Sequence, residues 1–323
     1  MFVLALTFAL LSSSLKAAPE YYNCQRPIPS QHQSHSRLIS FDINSLELAL
    51  ALGLEERVIY AYGVEDTDRV LPNYKEALKQ IKNIKGHYTS SSEILKSKPD
   101  LIIGGWNYGF YRGTDISPGA FSSKGIDSYL LSESCIHEDD YTPVTIESVF
   151  HDIRTLGSLT DRHKEAEAII TQQEQRLEAI ESQLVSSGTP ARVFVYDSGI
   201  SQPFTAGGYS VLNNIIARSG AQNIFSNLNS NWSMVDWQEV ASLDPELIIV
   251  VDYGYGDGEQ KKANLQKRSQ LSKTSAVKNN NFLIIPYASA ISGIRSVGLL
   301  DLLSQRILCK PSQGERLCLE EVY

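Results

Sequence analysis

No apolar run in this chain approaches the ~20 residues that a bilayer-spanning helix needs, and no block of like charge interrupts it. A net charge of −8 spread over 323 residues, without a basic patch, excludes nucleic acid and anionic membrane surfaces as natural partners. The four cysteines contain no CxxC pair, which argues against zinc binding and dithiol chemistry. The chain also lacks a GxSxG elbow, an HExxH pair and a Gly-rich phosphate loop. What remains for an enzyme is Ser198 in Asp197-Ser198-Gly199, with no histidine placed beside it, so a secreted hydrolase is the remote alternative and no catalytic residue is expected. Of the six histidines, His32 and His35 lie in a polar N-terminal stretch and His151 and His163 in a helical segment. They do not converge, and neither a side-chain metal site nor a resident cofactor is expected.

What is present suits an exported protein of two α/β lobes. An apolar content of 42% is enough for two cores. Phe2 to Leu11 followed by the small residues up to Ala17 and Ala18 reads as a signal peptide over 1–17. An even set of cysteines then favours disulfides. Cys24 with Cys135 and Cys309 with Cys318 is the preferred pairing, although four cysteines allow three connectivities.

The strongest pattern is a repeat. Glu93-Ile94-Leu95-Lys96-Ser97-Lys98-Pro99-Asp100-Leu101-Ile102-Ile103 recurs as Glu239-Val240-Ala241-Ser242-Leu243-Asp244-Pro245-Glu246-Leu247-Ile248-Ile249. Each copy predicts a short helix stopped near a proline and followed by a buried strand. Strand, helix, strand units begin at Arg37-Leu38-Ile39-Ser40-Phe41-Asp42 and at Arg192-Val193-Phe194-Val195-Tyr196-Asp197, which implies mainly parallel sheets in two Rossmann-like lobes. Between them, apolar residues from Ile146 to Leu184 recur at three- and four-residue steps, with Gly157-Ser158 as almost the only breaker. This predicts one long, bent connecting helix over 145–185, between an N-terminal lobe at 18–144 and a C-terminal lobe at 186–323. Such a strut resists large hinge motion.

With its elements in this order, the chain resembles the periplasmic binding proteins of ABC importers for ferric siderophores, haem and cobalamin, whose lobes are joined by one long helix. The resemblance rests on Arg37-Leu38-Ile39-Ser40 leading to Glu47 through Gly53, on Lys98 through Ile103, and on Trp237-Gln238-Glu239-Val240 leading to Asp244 through Ile249. The stretch Phe194 to Gly199 with Pro203 to Gly208 is similar to a branch labelled as iron-siderophore binders. The resemblance implies capture of a metal chelate, a ferric siderophore first and cobalamin or haem as the alternative. It also implies delivery of that ligand by a monomer to an inner-membrane permease, with Glu93 and Glu239 as the docking residues.

A chelate of that size needs wide ring contact and a few directional polar groups. Trp106, Tyr108 and Tyr111 in the first lobe, with Tyr253, Tyr255 and Tyr287 in the second, are the candidate walls, and Tyr196, Phe204 and Trp232 lie near the same strand ends. Trp237 is expected to be structural. Arg112 and Arg295 are candidates for holding an anionic ligand in a guanidinium fork. Asp42 and Asp197, which end the first strands of their lobes, can each cap the following helix or accept a ligand hydrogen bond, and capping is the first expectation.

Overall fold

A computed structural model describes residues 21–24, 26–28, 34–137, 142–184, 189–254 and 256–308. The signal segment 1–17, Tyr255, and both Cys309 and Cys318 lie outside the described residues.

In the first lobe Val58–Tyr62, Leu38–Phe41, Leu101–Trp106 and Asp127–Leu130 lie side by side and parallel, with Ile84–Lys85 added at the edge. In the second, Ala221–Asn223, Ala191–Tyr196, Leu247–Asp252 and Phe282–Pro286 follow the same spatial order of second, first, third and fourth strand. The third strand of each lobe is buried at its first five positions and half-buried at the sixth. Both faces of each sheet are therefore covered, as continuous apolar runs require.

The repeat has a physical cause in each lobe. The helix Ser91–Ser97 is capped by the Ser90 hydroxyl and Trp237–Ser242 by the Asp236 carboxylate. Left-handed Lys98 and Asp244 then turn the chain. Arg37 and Arg192, at the start of each first strand, donate Nε to the carbonyls of these two residues, at 2.8 Å in both lobes. In return Asp100 and Glu246 accept the backbone N–H groups of Arg37 and Arg192, at 2.9 and 3.0 Å. The acid after each proline thus fastens the third strand to the first.

One long helix, His163–Gln183, joins the lobes; its 21 residues span about 32 Å at 1.5 Å each. The helical pattern begins earlier because a separate helix, Ile146–Leu159, packs against it in a hairpin. The break lies at Thr160–Arg162, where Asp161 is left-handed and the Thr160 hydroxyl bonds Leu156 O at 2.6 Å. Gly157 allows the close crossing, since a Cβ there would sit 2.5 Å from Ala166 Cβ. Arg218 of the second lobe binds both Glu147 and Glu181, so the hairpin's two open ends meet on one cation. A single apolar core runs through Leu38, Ile153, Ile170, Val195 and Leu300.

Cys24 and Cys135 form a disulfide, 111 residues apart in sequence. Closing a loop of that length stabilises the fold by about 4–5 kcal/mol in the chain-entropy model. The Asn23 side-chain amide pairs with both backbone groups of Leu130 at 2.7 Å, which extends the anchor onto the sheet.

Candidate functional site

The carboxyl ends of the two first strands carry equivalent acids. Asp42, left-handed at φ 73° and buried, accepts the Ile43 N–H at 2.7 Å and the Tyr88 hydroxyl at 3.2 Å. Tyr287 of the second lobe lies close to the same carboxyl. The Tyr287 ring lies 4.9 Å from that of Tyr253, whose hydroxyl donates to Asp197 at 2.6 Å. Asp197 also accepts the Ser198 hydroxyl at 2.7 Å. A chain of carboxylates and phenols therefore crosses the lobe junction.

Neither acid caps a helix as expected. Asp42 takes its neighbour's N–H rather than one further into the helix, and the helix Asp42–Ala51 begins on Phe41, which has no capping side chain. Asp197 turns to hydroxyls instead, because its next helix starts only at Val211.

Burial pushes the Asp42 carboxyl up to about 6 against the hydrogen bonds that lower it, and burial raises Asp197 as well. Burial first, and then the adjacent carboxylates, raise the Tyr88 and Tyr253 phenols far above their ordinary value. Both phenols remain protonated donors at any physiological pH.

Half-buried rings surround this chain. In the first lobe Trp106 packs edge-on to Phe110 at 6.4 Å, with the exposed Arg112 guanidinium 5.1 Å from its ring centre. Left-handed Asn107 and Gly109 turn the loop, and a Cβ at Gly109 would lie 2.2 Å from the Phe41 ring. Tyr111 meets Tyr88 edge-on at 6.3 Å, and the Tyr108 hydroxyl bonds Ser134 Oγ at 3.1 Å. In the second lobe Phe204–Ala206 pairs with Trp232–Met234, which stacks Phe204 on Trp232 at 5.8 Å. Trp232 lies close to Glu133 of the first lobe. Lys261 lies 4.5 Å over the Tyr253 ring.

Two candidates sit elsewhere. Tyr196 is buried against Trp237 at 5.7 Å in a separate core cluster, and its hydroxyl bonds Gly199 O. Arg295 is 6% exposed; its Nε donates to Glu47 at 2.7 Å and its Nη2 to Glu47 and to Arg69 O, both at 2.5 Å. Its charge holds the lobes together. Tyr255 lies outside the described residues. Trp237 is structural as read: its Nε1 bonds Ile200 O and Arg268 stacks over it at 3.9 Å.

The sequence reading missed Tyr88, Glu47 and Glu133. Glu47 had a visible signal, a carboxylate between Leu46 and Leu48 in an apolar helix that has to find a buried cation. Glu133 and Tyr88 carry no periodicity that marks them. Glu133 is buried, accepts the Ser292 N–H at 2.7 Å, and is raised by burial to about 7.

Glu93 and Glu239 are exposed in the first turns of their helices. Each helix ends beside the start of its following strand, so both carboxylates lie toward the sheet end that carries Asp42 and Asp197. Among the described residues no cluster of three or more His, Cys, Asp or Glu is placed to hold a metal ion, and no helix is long and apolar enough to cross a membrane.

The fold is shared with known proteins. The chain is 24% identical over 219 residues, covering 68% of it and 70% of the relative, to a vitamin B12-binding protein of Yersinia pestis. It superposes at TM-score 0.75 and 25% identity on a periplasmic binding protein from Veillonella parvula, covering 87% and 93% of the two chains. An ABC-type Fe3+-hydroxamate transport protein from Saccharomonospora viridis gives TM-score 0.76 at 18% identity over 91% and 99%. The periplasmic heme-binding protein HutB of Vibrio cholerae gives 0.63 at 20% identity over 84% and 96%. The profile of the periplasmic binding proteins spans residues 38–288, from the first strand of one lobe to Tyr287 and Ala288 of the other, and the chain belongs to that family of substrate-binding proteins.

Proposed function

We propose that this protein captures a metal chelate between its lobes and hands it to an ABC importer. The observation that carries this reading is the convergence of tyrosines from both lobes on Asp42 and Asp197, flanked by the rings of Trp106 and Trp232. Large flat rings with few polar atoms suit a rigid ligand of several hundred daltons. The sequence favours a ferric siderophore; the similarity to a vitamin B12-binding protein supports a corrinoid, and that to a heme-binding protein supports haem, as ligands of the same cleft. Export by the segment 1–17 to the periplasm, action as a monomer, and docking through Glu93 and Glu239 onto cationic permease residues complete the reading. A hydrolase is disfavoured because no histidine pairs with Ser198 among the described residues and the Asp197 oxygen that accepts its proton also accepts that of Tyr253.

Native mass spectrometry of protein taken from its own periplasm tests this directly. A retained mass matching a siderophore, haem or corrinoid supports the proposal. Failure of ferric chelates, haem and cobalamin alike to quench tryptophan fluorescence at micromolar concentration would overturn it.

A further inference from the structure

The polar atoms of the cleft have a direction. Tyr88 gives its proton to Asp42, and Tyr253 gives its proton to Asp197. The Tyr108 and Ser134 hydroxyls share one hydrogen bond at 3.1 Å in which either can donate. What the half-buried Tyr88 and Tyr253 phenols still offer a ligand is oxygen lone pairs beside two buried acids.

The neighbouring cations are held by other groups. Arg295 is paired with Glu47, and Lys261 Nζ donates to the Asp197 and Val251 carbonyls, each at 2.8 Å. Arg69 donates to Asp252 O at 2.9 Å and faces the Asp252 carboxylate at 3.5 Å. Arg112 stands at the outer edge over Trp106. The junction also buries Glu133, whose Oε2 accepts the Ser292 N–H at 2.7 Å and whose Oε1 has no hydrogen-bond partner among the described residues. The floor is therefore rich in acceptors and acids, and its cations are drawn onto carboxylates and carbonyls.

We infer that the cleft selects an uncharged or cationic chelate whose periphery offers N–H donors, and discriminates against polyanionic chelates such as tricatecholates and citrates. A polyanion would bring acceptors to acceptors in a site of low dielectric, where like charges repel strongly and unmatched polar atoms are costly. Peripheral amides or an ammonium group would instead complete the hydrogen bonds that the phenol oxygens leave open. The inference rests on the cleft reading above and deepens it.

The test titrates the purified full chain at pH 7.5 with four probes: cyanocobalamin, which is uncharged and rich in primary amides; ferrioxamine B, a cationic trihydroxamate; a ferric tricatecholate of charge −3; and ferric citrate. Either of the first two should bind at least tenfold more tightly than both anions. In Asp197→Asn and, separately, Asp42→Asn, that ratio should shrink several-fold while tyrosine fluorescence and thermal unfolding report an intact fold. Equal or tighter binding of an anionic probe by the unaltered protein overturns the inference and leaves the cleft assignment standing. Absence of binding by all four overturns both. Should neither variant fold, the four affinities of the unaltered protein still decide.

Discussion

The two lobes share a scaffold and differ in what they extend across the junction. Strand order, the Arg37–Asp100 and Arg192–Glu246 fastenings, and the exposed Glu in the repeated helix are matched pairs. The segment after Phe282–Pro286 has a positional counterpart after Asp127–Leu130, which lends Glu133 to the junction, but the two are not matched residue for residue. The segment after Phe282–Pro286 sends Tyr287 to Asp42, Ser292 to Glu133 and Asn44, and Arg295 to Glu47. The duplicated parts set where the acids stand, and the unmatched segment sets how the lobes engage. A repeat is therefore informative about framework and silent about the junction.

The sharpest way to break the comparison is to cut the junction. Arg295→Ala leaves the Glu47 carboxylate buried, accepting only the Leu71 N–H at 2.8 Å. Loss of one partner from a buried pair costs about 3–5 kcal/mol. The exposed pair Arg176–Asp301 is worth under ~1 kcal/mol by the same reasoning. Urea unfolding of Arg295→Ala and Asp301→Ala should separate the two by several-fold, and comparable losses would refute the assignment of Arg295 to the junction.

Next in size is the contribution of each wall to ligand binding. Trp106→Ala and Tyr253→Ala should each weaken affinity for the retained ligand by about 1–3 kcal/mol, the range for truncating a large buried contact. If only one of them matters, the ligand belongs to one lobe rather than to the cleft between them.

The junction also distinguishes itself by pH. Burial raises Glu133 from its ordinary 4.5 to about 7 and Asp42 from 3.8 to about 6. Raised carboxyls mean that folding takes up protons, so their stabilising effect is complete below the unfolded values and is lost as pH rises through about 6 to 7. Asp152, which is buried in the first lobe and bonded by Tyr129 and Ser132, adds the same sign near 6. Melting temperatures should fall between pH 4.5 and 7, and Glu133→Gln should flatten part of that slope. An unchanged slope would place the titration elsewhere.

How much was legible follows from these physical origins. The repeat was readable because a strand buried on both faces demands an unbroken apolar run, and Leu101–Trp106 and Leu247–Asp252 both show one. The break at Thr160–Arg162 was hidden because both connector helices bury their apolar stripes in the same core, so the period runs on across the turn. Tyr196 shows the cost of ignoring parity: with Phe194 it faces the Trp237 cluster, whereas Val193 and Val195 face the main core. Arg295 had no address in the sequence, since its partner lies 248 residues away. The hydrogen bonds of Asp42 and Asp197 were likewise set by tertiary approach rather than by local spacing.

The smallest effect on the isolated protein, and the most informative about transport, concerns Glu93 and Glu239. Both are exposed, and Glu93 is bonded only to Lys96 three residues on at 2.7 Å, so charge reversal should change stability by no more than about 0.5 kcal/mol. Neither carboxylate takes part in the chain from Tyr88 to Ser198, so ligand affinity should be unchanged. Uptake by cells or vesicles carrying the cognate permease should nonetheless slow in Glu93→Lys and in Glu239→Lys, and more in the pair. Matched defects in the single variants would mean that the symmetry of the repeat extends to the permease. A defect in one alone would confine docking to a single lobe, and normal transport by the double variant would remove the docking role from both.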